Sequence, residues 1–234
     1  MFPLFATVNG LIAIATFSAW IVITRSSSGI GNPAKKYFGY TYLFVALYFV
    51  LHSFPELFIA DGEFLQKLNI ISKIALFSSL TFLLASALEI GQRQKWKKVV
   101  IPAFLFLVAI AFFAAIFTFS PAKEKIIEGM FVYWQPGCAQ WITALEGFLA
   151  IVPLLFTVSI FSWKNKVTTN KSFKNRTQFL IIGFSLLTTS IVLNFVFLPL
   201  EINPLFSLVI ASGSVIFAAV GIFLTVKGLV YQPR

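Results

Sequence analysis

The sequence predicts an all-α, polytopic membrane protein: one domain, residues 1–234, folded as a bundle of seven transmembrane helices with the N-terminus outside and the C-terminus cytoplasmic. Three observations carry this. Only 11% of the 234 residues are charged while 59% are hydrophobic; a soluble domain averages about 25% charged, so a water-facing globule would lack the side chains to cover its surface. Seven apolar runs are each long enough to cross a bilayer. The basic residues sit in alternate connections between those runs. Length agrees, because a span of about 20 residues plus its connection uses roughly 30, which leaves nothing for an extramembrane domain. Ten prolines and thirteen glycines are too few for a disordered or collagenous chain, and a single cysteine excludes a disulfide framework or a Cys-rich metal site.

The runs cover about residues 4–24, 38–60, 66–90, 99–120, 139–162, 178–198 and 205–226. The first has no basic residue ahead of it and no small-residue cleavage site before Arg25, so it is a retained span rather than a secretory signal. The second follows Lys35 and Lys36, carries Pro55 and stops at Asp61. The third runs to Gly91 and contains Lys73. The fourth, Val99 to Ser120, is apolar on all sides, unlike the dyad alternation over about ten residues that a β-barrel strand requires. The fifth carries Pro153, a second site where a helix can kink. The sixth ends before Pro199, and the seventh lies between Pro204 and Lys227.

Orientation follows from charge. Arg25, Lys35 and Lys36; Arg93, Lys95, Lys97 and Lys98; Lys164, Lys166, Lys171, Lys174 and Arg176; and Lys227 and Arg234 occupy alternate connections. The other connections hold Lys67, Lys123 and Lys125 with Asp61, Glu63, Glu124, Glu128 and Glu201. This positive-inside bias is unbroken along the chain. Trp20, Trp96 and Trp163 fall at the inner ends of spans, and Trp134 and Trp141 near an outer one, as two interfacial belts. The net charge of +10 therefore reads as topology and attraction to anionic lipid, not as nucleic-acid binding. The longest outer connection, Pro121 to Cys138, contains Tyr133-Trp134-Gln135-Pro136-Gly137, aromatics joined to a turn signal. It is either an ordinary anchored loop or one that folds back over the outer mouth.

Ionisable groups within a bilayer are costly, and each is a functional candidate with a partner to be named. Glu56 lies about one turn from the outer end of the second span; Lys73 lies roughly 10 Å into the third, and Glu146 roughly 10 Å into the fifth, at 1.5 Å per residue. All three fall in the outer half. Two readings stay open. Lys73 with Glu146 or Glu56 forms a buried pair that fixes helix register, or the cluster is the floor of an outward-facing ligand pocket closed by Trp134, Trp141 and His52. That pocket would suit a small polar or amphipathic ligand. His52, the only histidine, is a core residue or part of that lining; with no His/Cys spacing and Cys138 unpartnered, no metal or other cofactor is expected. Glu89 reads as a snorkelling carboxylate beside basic residues. Asn194 and Asn9 are placed to hydrogen-bond across helices.

The last span carries small residues at helical spacing: Ser207, Ala211, Ser214, Ala218, Gly221 and Thr225. They form one face that lets a neighbouring backbone approach closely, either as plain packing or as a seam that transmits motion to the inner end. Enzymatic chemistry is not expected, since the sole aspartate is Asp61 in an outer connection and His52 lies in the membrane, leaving no Ser/His/Asp arrangement. A retinal Schiff base would need a lysine in mid-span of the last helix, and residues 205–226 contain none.

Phe179-Leu180-Ile181-Ile182-Gly183-Phe184, Leu193-Asn194-Phe195, Leu198-Pro199-Leu200, Asn203-Pro204-Leu205 and Gly213-Ser214 resemble the sixth and seventh spans of the seven-helix N-terminal sensor region of bacterial histidine kinases. Gly39, Leu51 to Leu57 and Lys67 to Lys73 resemble its second and third spans more loosely. The resemblance implies a sensor whose last helix runs into a cytoplasmic output domain. Here only seven residues follow Lys227, without a phospho-acceptor helix or ATP-binding box, and His52 within the membrane does not fit a phospho-acceptor role. The expectation is a detached, receptor-like module in the plasma membrane, binding a small ligand, lipid or partner in its outer half and signalling through a separate output protein. The alternatives are a small seven-span transporter, although no convincing alignment relates the halves, or an accessory subunit packing through its small-residue face.

Overall fold

The computed structural model describes residues 4–26, 32–58, 62–117, 126–128, 131–133, 140–197 and 204–230. Within them run α1 (Leu4–Arg25), α2 (Asn32–Phe58), α3 (Gly62–Ile90), α4 (Gln94–Phe117), α5 (Gln140–Val167), α6 (Lys171–Val192) and α7 (Pro204–Val230). Directly after α6 the chain makes a π-helical turn, Leu193–Phe197. Among the described residues each apolar run falls on one helix, except that the run at 178–198 continues from α6 into the π-turn. The helices α3 to α7 each contain a stretch long and apolar enough to cross a membrane, and α1 adds a shorter apolar segment, Asn9–Arg25. The described helices thus form a bundle suited to a lipid bilayer.

Several helices start or stop beyond the apolar runs. Lys35 and Lys36 lie inside α2, Lys95, Lys97 and Lys98 inside α4, Lys164 and Lys166 inside α5, and Lys171, Lys174 and Arg176 inside α6. The physical reason is that a helix need not end where hydrocarbon does: its terminal turns reach the interface, where long basic side chains extend to water. The connection between α4 and α5 also differs from a simple loop, since β1 (Ile126–Glu128) and β2 (Phe131–Tyr133) pair antiparallel, with Ile127 opposite Val132. Strand β2 lies against α1. Trp134 to Cys138 fall outside the described residues.

Neighbouring helices form a closed circuit, α1–α2–α3–α5–α6–α7 and back to α1, with α4 outside it against α3 and α5. Accordingly α3 is the most buried candidate span and α4 the least. Inside the circuit Phe38 of α2, Phe161 of α5 and Phe184 of α6 stack on one another, with centroids 6.1 to 6.4 Å apart. Several buried hydroxyls are satisfied within their own helices: Thr16 donates to Ile12 O at 2.8 Å and Thr157 to Pro153 O at 2.7 Å. Such bonds let polar side chains sit in an apolar helix.

Contacts at one end of the bundle show how the charges gather. Lys35 of α2 reaches Ser26 just beyond α1; Lys97 of α4 binds Glu89 of α3 and Tyr37 of α2, both at 3.1 Å. Thr177 of α6 binds Asn165 of α5 at 2.8 Å. Arg176 of α6 donates to Gly228 O and Leu229 O in the last turn of α7, at 3.2 and 3.0 Å. The C-terminal ends of α1, α3, α5 and α7 therefore meet the N-terminal ends of α2, α4 and α6, and the basic residues of alternate connections share one cationic end. Glu89, read from sequence as a snorkelling carboxylate beside basic residues, pairs with the basic Lys97 and accepts from Gln94 at 2.7 Å.

Candidate functional site

Toward the opposite, far end, α3 presents Asn69 and Lys73 four residues apart, hence on one face of the helix. Lys73 Nζ lies 2.9 Å from Glu146 Oε1 and 2.8 Å from Oε2 on α5. The side chains keep only 11% and 3% of their exposure. A charge in this setting is tolerable because its counter-charge is in contact, whereas either ion alone would carry an uncompensated desolvation cost.

Across from α3 stands His52 of α2, its ring stacked on Tyr48 one turn earlier, 5.3 Å between centroids and 13° between planes. Asn69 and Lys73 of α3 are its polar neighbours. Asn69 is 3% exposed, and its own carbonyl accepts from Ser72 Oγ at 2.7 Å. Three helices thus bring together a histidine, an amide and an ion pair whose charges cancel.

The cluster's hydrogen bonding is incomplete. Among the described residues, the buried side-chain atoms without a well-directed hydrogen bond are His52 Nδ1, Asn69 Oδ1 and Glu146 Oε2, the last already facing the Lys73 ammonium at 2.8 Å. Native proteins leave few such atoms, and all three fall in this one place. Glu146 Oε2 and Asn69 Oδ1 are acceptors; His52 Nδ1 is donor or acceptor according to its tautomer. A small molecule with hydrogen-bond donors, water being the smallest, has the chemistry to meet these atoms. No three His, Cys, Asp or Glu side chains converge for a metal among the described residues.

Other residues named from sequence lie differently. Trp141 is 55% exposed on the first turn of α5; five residues from Glu146 at 100° each, it occupies the other side of that helix and does not close over the ion pair. Glu56 and Asn194 lie in α2 and in the π-turn, but their side chains, like those of Ser207 and Ala211, fall outside the described residues, as does Trp134. Sequence reasoning missed Asn69, although its four-residue spacing from Lys73 in an apolar helix was a usable signal.

The π-turn touches the site from behind. It presses Phe195 onto Gly147, the residue after Glu146, so closely that a Cβ on Gly147 would stand 2.5 Å from that of Phe195. From there α6 packs along α7. Ser190 and Ser214 are hydrogen-bonded at 3.0 Å, and a Cβ on Gly221 would meet Gly183 O at 2.9 Å. Ser214, Ala218, Gly221 and Thr225 are buried, Thr225 also bonding Tyr42 of α2. No protein-family model, curated protein or solved structure matches the chain.

Proposed function

We propose that the chain is a sensor-like membrane module, with seven helices across the plasma membrane, the N-terminus outside and the cationic end in the cytoplasm. It binds a small polar ligand at His52, Asn69, Lys73 and Glu146 in its outer half and has no catalytic step of its own. The observation that carries this reading is the gathering of His52 Nδ1 and Asn69 Oδ1, buried without a hydrogen bond, beside one neutral ion pair. Because Lys73 and Glu146 cancel in charge, the ligand is a neutral or zwitterionic hydrogen-bond donor.

Signalling would require the ligand to bind one helix arrangement more tightly than another. Glu146 and Gly147 are consecutive, so a change at the carboxylate bears on the seat of Phe195, and through α6 on the end of α7 that Arg176 holds. A separate output protein would read that end, in keeping with the resemblance to kinase sensor regions.

The test uses purified protein in liposomes with spin labels at Lys171→Cys and Lys227→Cys and with Cys138→Ser. Glycerol, urea and glycine are added outside as probes. At least one should shift the distance distribution between the labels, and the shift should vanish in Asn69→Leu while insertion is kept. No shift with any of the three, or the same shift in Asn69→Leu, overturns the reading. Glycerol flux above that of empty liposomes would favour the transporter instead.

A further inference from the structure

At the cationic end, α3 closes in a turn of uncommon construction. Gln92 N–H donates to Glu89 O at 3.0 Å and Arg93 N–H to Leu88 O at 2.9 Å, the bond pair of a Schellman motif. The residue between the two helices' ends, Gln92, has φ 56°, a left-handed conformation that normally selects glycine. Strain of this kind persists where the surrounding structure requires it. Its effect is to deliver the next residue, Arg93, to the last turns of α5, where the guanidinium lies 5.8 Å from the Trp163 ring centroid. Lys164 Nζ lies 5.1 Å from the same centroid.

Two cations thus meet one indole, and neither forms an ion pair among the described residues. Glu89, the acidic side chain at this end of α3, is engaged by Lys97 and Gln94. Contact with the ring face attracts each cation but does nothing for their mutual repulsion, which an anion beside both would offset. Trp163 is 44% exposed, so the place is open to the surroundings.

We infer that Arg93, Trp163 and Lys164 form a headgroup site for an anionic glycerophospholipid. A lipid, rather than free phosphate, fits because the exposed side of α5 continues from this point: Phe148, Val152, Leu155 and Trp163 are exposed at spacings of four, three and eight, a single helical stripe. Acyl chains lying along that stripe bring the phosphate to Arg93 and Lys164, while the indole sits at headgroup level. The assignment is independent of the far-end ligand site and of which leaflet the cationic end faces.

The test is native mass spectrometry of the full chain with phosphatidylglycerol and phosphatidylcholine of matched acyl chains. The wild type should retain phosphatidylglycerol preferentially, and Arg93→Gln and Lys164→Gln should each lower the preference about fivefold. Lys166→Gln and Lys171→Gln, which remove charge from the same end outside the site, should leave it within twofold. An equal fall in all four variants would mean a diffuse cationic surface and overturn the site, as would no change in the first two. Loss of the preference in millimolar inorganic phosphate would overturn the lipid assignment in favour of a free anion. A second readout needs no charge variant: emission lost in Trp163→Phe, subtracted from wild type, should be quenched more by brominated phosphatidylglycerol than by brominated phosphatidylcholine, and equal quenching counts against the proposal.

Discussion

Lys73 of α3 and Glu146 of α5 bind each other across the bundle through both carboxylate oxygens, at 2.9 and 2.8 Å. Removing one partner leaves the other buried without compensation, so Lys73→Ala or Glu146→Ala should each destabilise the bundle by about 3 to 5 kcal/mol. Lys73→Met combined with Glu146→Leu, which removes both charges and keeps the volume, should recover most of that loss. Unfolding in mixed micelles by denaturant titration measures both. A double variant no more stable than the singles would show that the pair does not act as a pair.

The α6–α7 seam makes a sharper contrast. A methyl at Gly221 would meet the backbone oxygen of Gly183 at 2.9 Å, whereas one at Gly213 finds its nearest neighbour, a Leu193 methyl, at 3.8 Å. Backbone cannot swing aside as a side chain does. Gly221→Ala should therefore cost about 1 to 3 kcal/mol by forcing the helices apart, while Gly213→Ala, which also adds helix propensity, should be neutral or stabilising. Thermal unfolding in detergent decides, and equal effects would argue against this packing.

Gly147→Ala should disturb the π-turn, since the added carbon would overlap Phe195 Cβ. The matching change Phe195→Gly removes that obstacle and should restore stability to Gly147→Ala more than it helps the wild type. A double-mutant cycle measures the coupling, expected at about 0.5 to 3 kcal/mol for residues in contact; independent effects would break the proposed link between the site and α6.

Gln92→Gly should stabilise the chain by several tenths to about 1 kcal/mol, because glycine adopts the left-handed φ without a Cβ penalty. Gln92→Val, β-branched at the same φ, should lose stability. Melting temperatures of the three proteins provide the check, and a destabilising glycine would mean that the Gln92 side chain contributes something its backbone does not show.

The helices were legible because their signal is local: twenty apolar residues between charges announce a span wherever the chain later packs. The charge alternation was legible for the same reason, and the contacts of Arg93, Lys97 and Arg176 place those residues at one end. Which face of α3 turns toward α2 depends on the whole circuit, so Asn69 and Lys73 meet His52 only in three dimensions. Trp141, named from sequence as closing the outer pocket, is exposed on the first turn of α5, and five residues at 100° each turn it away from Glu146. The π-turn escaped detection because one wider turn hardly changes the hydropathy of residues 193–197. Nor does composition mark α4 as peripheral, since a lipid-facing helix and a buried one are about equally apolar.

The stack of Phe38, Phe161 and Phe184 has a bearing on which compartment the polar cluster answers to. Three nearly wholly buried rings contributed by α2, α5 and α6 make a dry stopper across the interior. Solutes reaching Lys73 would have to arrive and leave by the same door, and an ion gradient imposed on vesicles holding this protein should decay no faster than in bare lipid.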